Sequence, residues 1–128
     1  MAKQTEEFGK IIDLVQDYLD GIYEGAVEKL KSVMHQDARM ISLSEDSYSN
    51  IGMDEYFDIV EKRRSPKESN ERRMDKLLSI NAKPEGTACV ELECLVLGKY
   101  CKDTLTLVKV QNQWQIVSKV FAYELIEG

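Results

Sequence analysis

Three side chains in this sequence could do chemistry only if the fold removes them from water. These are Asp103, Lys119 and the sole histidine, His35. If the last hairpin turns about Asn112, residue 105 faces residue 119, and Asp103 falls diagonal to Lys119 on one face of a sheet. Diagonal antiparallel neighbours lie about 7–8 Å apart at Cα, within reach of these side chains. An ammonium there would favour the ionised carboxylate and lower its pKa. The pattern therefore predicts an Asp103–Lys119 ion pair that either ties the sheet together or holds a polar ligand group. Lys119 lies between Val117 and Phe121 and has no other evident partner. A neutral His35 imidazole could act as a base near neutral pH. The alternative is a helix-end cap donating to the last carbonyls.

The other polar clusters have simpler readings. Asp54, Glu55, Asp58 and Glu61 read as a solvated helix face, and with one histidine in the chain no metal site is expected. Lys62-Arg63-Arg64 with Arg72-Arg73 reads as a solvated helix end and loop, or as an anion-binding cluster or charged lid beside the pocket. It lacks the interleaved aromatics of a nucleic-acid platform. Cys89, Cys94 and Cys101 form no Cys-x-x-Cys and make an odd count. They are read as buried thiols in a reducing cytoplasm. No phosphate-binding loop, Gly-x-Ser-x-Gly elbow or dinucleotide fingerprint occurs, so no cofactor is expected.

The elements that would position these groups follow from periodicity. Phe8, Ile11, Ile12, Val15, Tyr18, Leu19, Ile22 and Tyr23 recur at steps of three and four and predict a long amphipathic helix. Gly21 and Gly25 are expected to loosen it. Val27, Leu30, Val33 and Met34 predict a second helix, ended by His35-Gln36-Asp37. Ala38 to Leu43 reads as a strand, and Ser44 to Asn50 as a turn and a return segment. Gly52 is a tolerable N-cap for a third helix that turns Met53, Tyr56, Phe57 and Val60 inward. From Met74 the period changes to two. Strands are predicted at about 74–82, 87–97, 100–111 and 114–124, with turns at Lys83-Pro84-Glu85-Gly86, Gly98 and Gln111-Asn112-Gln113. The pairing of the middle two is open, because a slip of one residue exchanges Glu91 and Glu93 with Val90 and Leu92 between faces.

The chain has 128 residues, 43% hydrophobic and 31% charged, with 2 Pro and 7 Gly. That is the size of a single domain over residues 1–128, large enough for a real core. The balance of 17 Lys and Arg against 23 Asp and Glu gives −6, which disfavours nucleic acid and anionic membranes as partners. The polar start, Met1 to Glu7, has no apolar leader segment, so a cytoplasmic protein is expected. In the assumed register Trp114, Val108, Val110, Ile116 and Val120 share the outer face of the sheet. A sheet apolar on both faces needs two covers, which predicts a homodimer through that face.

Helices first and an antiparallel meander last is the layout of the nuclear transport factor 2-like superfamily. Local sequence is similar too: Tyr18-Leu19-Asp20-Gly21-Ile22, Lys29-Leu30, Met34-His35-Gln36-Asp37-Ala38, Met53-Asp54-Glu55-Tyr56-Phe57, Asp103-Thr104-Leu105-Thr106-Leu107 and Trp114 to Phe121. The chain resembles the lumazine-binding branch of that superfamily, near its polyketide-cyclase-like members. The resemblance implies an α+β fold with a cone-shaped sheet packed on three N-terminal helices, a cystatin-like roll. It also implies a pocket between helix 1 and the sheet. By likeness to the ketosteroid isomerases of the superfamily, Tyr18 and Asp103 would be paired donors to an oxyanion. That role needs a protonated Asp103, in conflict with the ion pair. The base those enzymes carry is replaced here by Ser42, which cannot do that work unaided.

The candidate catalytic residues are thus Tyr18, His35, Asp103 and Lys119. The candidate pocket wall is Tyr18, Met40, Ser42, Phe57, Leu105, Val117 and Phe121. The expectation is a dimeric small-molecule-binding protein. The alternatives are an acid–base enzyme acting on a small carbonyl or cyclic substrate, and a non-catalytic association module.

Overall fold

The computed structural model describes residues 2–126. Helix α1 spans Ala2–Glu24, α2 Val27–Val33 and α3 Met53–Lys62. The strands are β1 Met34–Ser44, β2 Ser47–Gly52, β3 Lys76–Lys83, β4 Thr87–Val96, β5 Lys99–Val110 and β6 Gln113–Leu125. They form one curved, unclosed sheet in the order β2-β1-β6-β5-β4-β3. All neighbours are antiparallel except β1 and β6, which run parallel. The three helices pack on this sheet, giving the expected α+β architecture.

The helical stripe does what its period requires. Ile11, Leu14, Val15, Tyr18, Leu19 and Ile22 are buried along α1. Burying a large apolar side chain contributes about 1.5–3 kcal/mol each, so this stripe fixes α1 on the sheet. Ile12 falls off the stripe and is 48% exposed, contrary to its predicted place. Gly21 does not loosen α1, which continues to Glu24. A Cβ there would meet the Leu30 side chain at 2.9 Å, so the glycine lets α2 approach. The chain reverses at Gly25, whose φ of +67° suits glycine.

Two boundaries move. Helix α2 ends at Val33, and Met34 opens β1 as its extended C-cap. His35 is therefore a strand residue and not a helix cap. The return segment after Ser44 is the regular strand β2. The hairpin registers are set by two-residue turns. Leu97 and Gly98, then Gln111 and Asn112, all have positive φ, as type I′ turns require. This places Val90, Leu92, Cys94, Cys101, Asp103, Leu105 and Leu107 on the buried inner face, and Leu105 does face Lys119.

The β5–β6 ladder then departs from the assumed register. Thr106 pairs with Ser118, whereas Leu107 pairs with Ile116, so Val117 is an extra residue in β6. A bulge of one residue exchanges the faces beyond it. Trp114 and Ile116, expected outside, are buried inside, while Val108, Val110 and Val120 remain on the outer face. The Trp114 indole N–H donates to Glu7 Oε2 at 2.7 Å, and Lys109 pairs with Glu7 Oε1. Together these fasten the start of α1 to the last hairpin.

Candidate functional site

Four polar side chains meet on the inner face beneath α1. Tyr18 is fully buried because it sits mid-stripe on α1, and its hydroxyl donates to Asp103 Oδ2 at 2.8 Å. Asp103 is 2% exposed, and its second oxygen, Oδ1, is buried without a hydrogen-bond partner. Alternation along β5 puts it inward between Cys101 and Leu105, facing Leu92 on β4 and Phe121 on β6. Lys119, 7% exposed, follows from the inward period of β6. Its ammonium lies 5.3 Å from the ring centroid of Tyr18, 5.3 Å from that of Tyr56 and 4.8 Å from that of Phe121. Tyr56, on the buried face of α3, has a buried hydroxyl with no partner.

The expected Asp103–Lys119 ion pair does not form, since the two charged groups lie farther apart than the 4.0 Å that defines one. Asp103 is engaged by the Tyr18 phenol, and the Lys119 stem carries its ammonium among three aromatic faces. Cation–π attraction of about 2 kcal/mol at a desolvated site offsets only part of the loss of hydration. Among the described residues the Lys119 ammonium has no hydrogen-bond acceptor.

The electrostatics follow from burial. Removal from water pushes the Asp103 carboxyl above the usual carboxylate range, opposed by the Lys119 charge and the Tyr18 hydrogen bond. Burial and the neighbouring Asp103 drive the Tyr18 phenol well upward, so it remains a neutral donor. For Lys119, burial acts downward, but Tyr56 and Asp103 outweigh it and the net direction is up. The site is thus a retained cation beside a carboxyl that protonates more readily than an exposed one.

The remaining candidates divide between two places. Pairing with β6 sets Met40 beside Lys119 and Ser42 beside Phe121 on the inner wall, with Leu105 fully buried opposite Lys119. Val117 occupies the bulge, so alternation no longer turns it inward. His35 and Phe57 line a separate open cleft of about 520 Å³ with Lys31, Met53 and Gln115. There the His35 Nδ1 accepts the Asp37 backbone N–H at 3.0 Å. The basic cluster is largely occupied: Lys62 pairs with Asp58, Arg64 donates to the Glu68 carbonyl, and Arg73 bridges Asp20 and Asp75. Among the described residues no group of three or more metal-binding side chains occurs, and no helix is long and apolar enough to cross a membrane.

Sequence reasoning placed Tyr56 in the core and missed its hydroxyl. A tyrosine in an inward stripe, where leucine would pack as well, was the available signal. It also missed that Cys94 and Cys101 face each other. The signal there was the Leu97-Gly98 dipeptide: a two-residue turn pairs 96 with 99 and hence 94 with 101.

Three helices on this curved sheet, with polar groups facing inward under α1, define a nuclear transport factor 2-like fold. The chain belongs to the family described as putative lumazine-binding, whose model matches residues 6–122. Solved structures agree on the fold. A nuclear transport factor 2-like protein of unknown function from Silicibacter pomeroyi DSS-3 is similar at 19% identity and a TM-score of 0.84, covering 94% of this chain and 98% of that one. One from Shewanella baltica OS155 is similar at 16% and 0.84, covering 95% and 97%. A putative scytalone dehydratase from Novosphingobium aromaticivorans DSM 12444 is similar at 18% and 0.70, covering 98% and 89%. Among curated proteins none matches the chain.

Proposed function

We propose that this protein binds a small molecule at the inner-face site of Tyr18, Tyr56, Asp103 and Lys119. The observation that carries this reading is a pair of buried polar atoms without partners, the Tyr56 hydroxyl and Asp103 Oδ1, beside a Lys119 ammonium held among three rings with no hydrogen-bond acceptor among the described residues. Buried polar groups in a finished core are satisfied, and each orphan costs about 1–3 kcal/mol. A ligand with an acceptor oxygen for Lys119 and Tyr56, and a donor for Asp103 Oδ1, would complete all three. A flat heterocycle with adjacent C=O and N–H fits that description, and the family's description names one, lumazine.

The test is a fluorescence titration with lumazine on the wild type and on Lys119→Met. Saturable binding weakened at least tenfold by the substitution supports the reading. Binding that Lys119→Met leaves unchanged moves the ligand elsewhere, and no saturable binding removes this heterocycle class.

A catalytic reading rests on the Tyr18–Asp103 hydrogen bond. A protonated Asp103, favoured by burial, could donate through Oδ1 to a developing enolate. The base would have to come from outside this cluster, because Ser42 holds the nearby wall and His35 lines the other cleft. For that reason binding is the primary reading. We also propose a homodimer through the outer sheet face, where Val108, Val110 and Val120 leave apolar surface uncovered.

A further inference from the structure

Two thiols that neither reading uses lie opposite each other on the inner wall. Cys94 and Cys101 are register partners across β4 and β5, 2% and 5% exposed, and both are free. Directly opposed antiparallel residues have Cα atoms about 4.5–5.5 Å apart. A disulfide needs roughly 4.4–6.8 Å, so the backbone already meets its requirement. Both side chains point to the inner face, so the two thiols are direct neighbours across the ladder. Cys101 donates to the Lys99 carbonyl at 3.6 Å. The third thiol cannot compete: Cys89 pairs with Thr106, and alternation along β4 turns it to the other face of the sheet.

We infer that Cys94 and Cys101 form an oxidation site, closed to an intramolecular disulfide by a hydroperoxide. Cys101 is the attacking sulfur, because the adjacent Cys94 thiol draws its pKa down against the opposing effect of burial. The neighbouring Cys101, and after it burial, hold Cys94 in the opposite direction, as the resolving thiol. The Cys101 thiolate attacks one peroxide oxygen, an S–O bond forms, and the O–O bond breaks. The leaving oxide takes the thiol's proton and departs as water or an alcohol. Cys94 then attacks the sulfenic sulfur. The S–S bond forms, the S–O bond breaks, and the departing hydroxide leaves as water with the Cys94 proton. Two thiols lose two electrons and the peroxide gains them. The pair lies three residues from the Leu97-Gly98 turn, at the end of the β4–β5 ladder. It also borders the ligand site, since Asp103 follows Cys101 on the same face.

The experiment treats the reduced, folded full chain with hydrogen peroxide, then denatures it, alkylates free thiols and maps the peptides by mass. The expected product is a monomer lighter by about 2 Da, with Cys94 linked to Cys101 and only Cys89 alkylated. Cys89→Ser should give the same link, and Cys101→Ser should abolish it. A thermal scan of the peroxide-treated wild type should show a Tm several degrees above the reduced form, roughly as expected for a closed eight-residue loop. Three alkylated cysteines at full peroxide exposure, isolated sulfinic acids, or links through Cys89 would overturn the inference.

Discussion

The two faces of this sheet solve opposite problems. The inner face is buried beneath three helices yet retains an aspartic acid, a lysine and two tyrosine hydroxyls that do not fully satisfy one another. The outer face has polar Thr104, Thr106 and Ser118, which water satisfies, and leaves Val110 and Val120 more than 40% exposed. Polar groups out of water and apolar groups in it both cost free energy. The two proposals, a small molecule within and a second copy without, each address one of these costs.

The comparison is broken most strongly by removing plain core beside the site. Leu105→Ala should cost about 2–5 kcal/mol in urea unfolding, because Leu105 is fully buried opposite Lys119. Lys119→Met sharpens the contrast in the other direction. If the ammonium serves a ligand and not the fold, an apolar replacement of similar length should raise stability by about 1–3 kcal/mol while abolishing binding. A loss of several kcal/mol would instead make Lys119 a structural residue.

Two carboxylates, Glu7 at the start of α1 and Asp103 on the inner face, should titrate with opposite signs. Glu7 is held below its usual 4.5, first by the Lys109 hydrogen bond and then by Trp114. Its contribution is present above 4.5 and is lost as pH falls through its folded pKa. Asp103 is raised above its usual 3.8, so the folded chain keeps a proton that the unfolded chain releases. Stability should decline as pH rises from 3.8 through the folded Asp103 pKa, then level off. Urea midpoints against pH should show that decline flattened in Asp103→Asn and the acid loss reduced in Glu7→Gln. An unchanged profile in Asp103→Asn would remove Asp103 as a buried titrating group.

The smallest expected effect on the fold is at the outer face. Val120→Lys should change subunit stability by no more than about 0.5 kcal/mol, yet convert a dimer to a monomer in sedimentation. A wild type that sediments as a monomer at micromolar concentration would refute the outer-face partner.

What was legible in the sequence was whatever repeats. The α1 stripe, the inward alternation of β5 and the pairing of Leu105 with Lys119 all follow from periods of 3.6 and 2 and from the turns. The Val117 bulge was not legible, because one extra residue leaves the local alternation intact and shows only as a change of face farther along. Trp114 and Ile116 were misplaced for that reason alone. The site was half legible. Register put Asp103 and Lys119 on one face, but whether the carboxyl met the ammonium or the phenol depended on where α1 and α3 lay over the sheet. No strand period carries that information.

The most direct measurement is a high-resolution crystal structure of the protein with lumazine, inspected around Lys119 Nζ, Tyr56 Oη and Asp103 Oδ1. The account predicts ring density there, with one ligand oxygen within hydrogen-bond distance of Lys119 and Tyr56 and a ligand N–H on Asp103. Ligand density in the cleft beside His35, with the Lys119 site closed by its three rings, would contradict it.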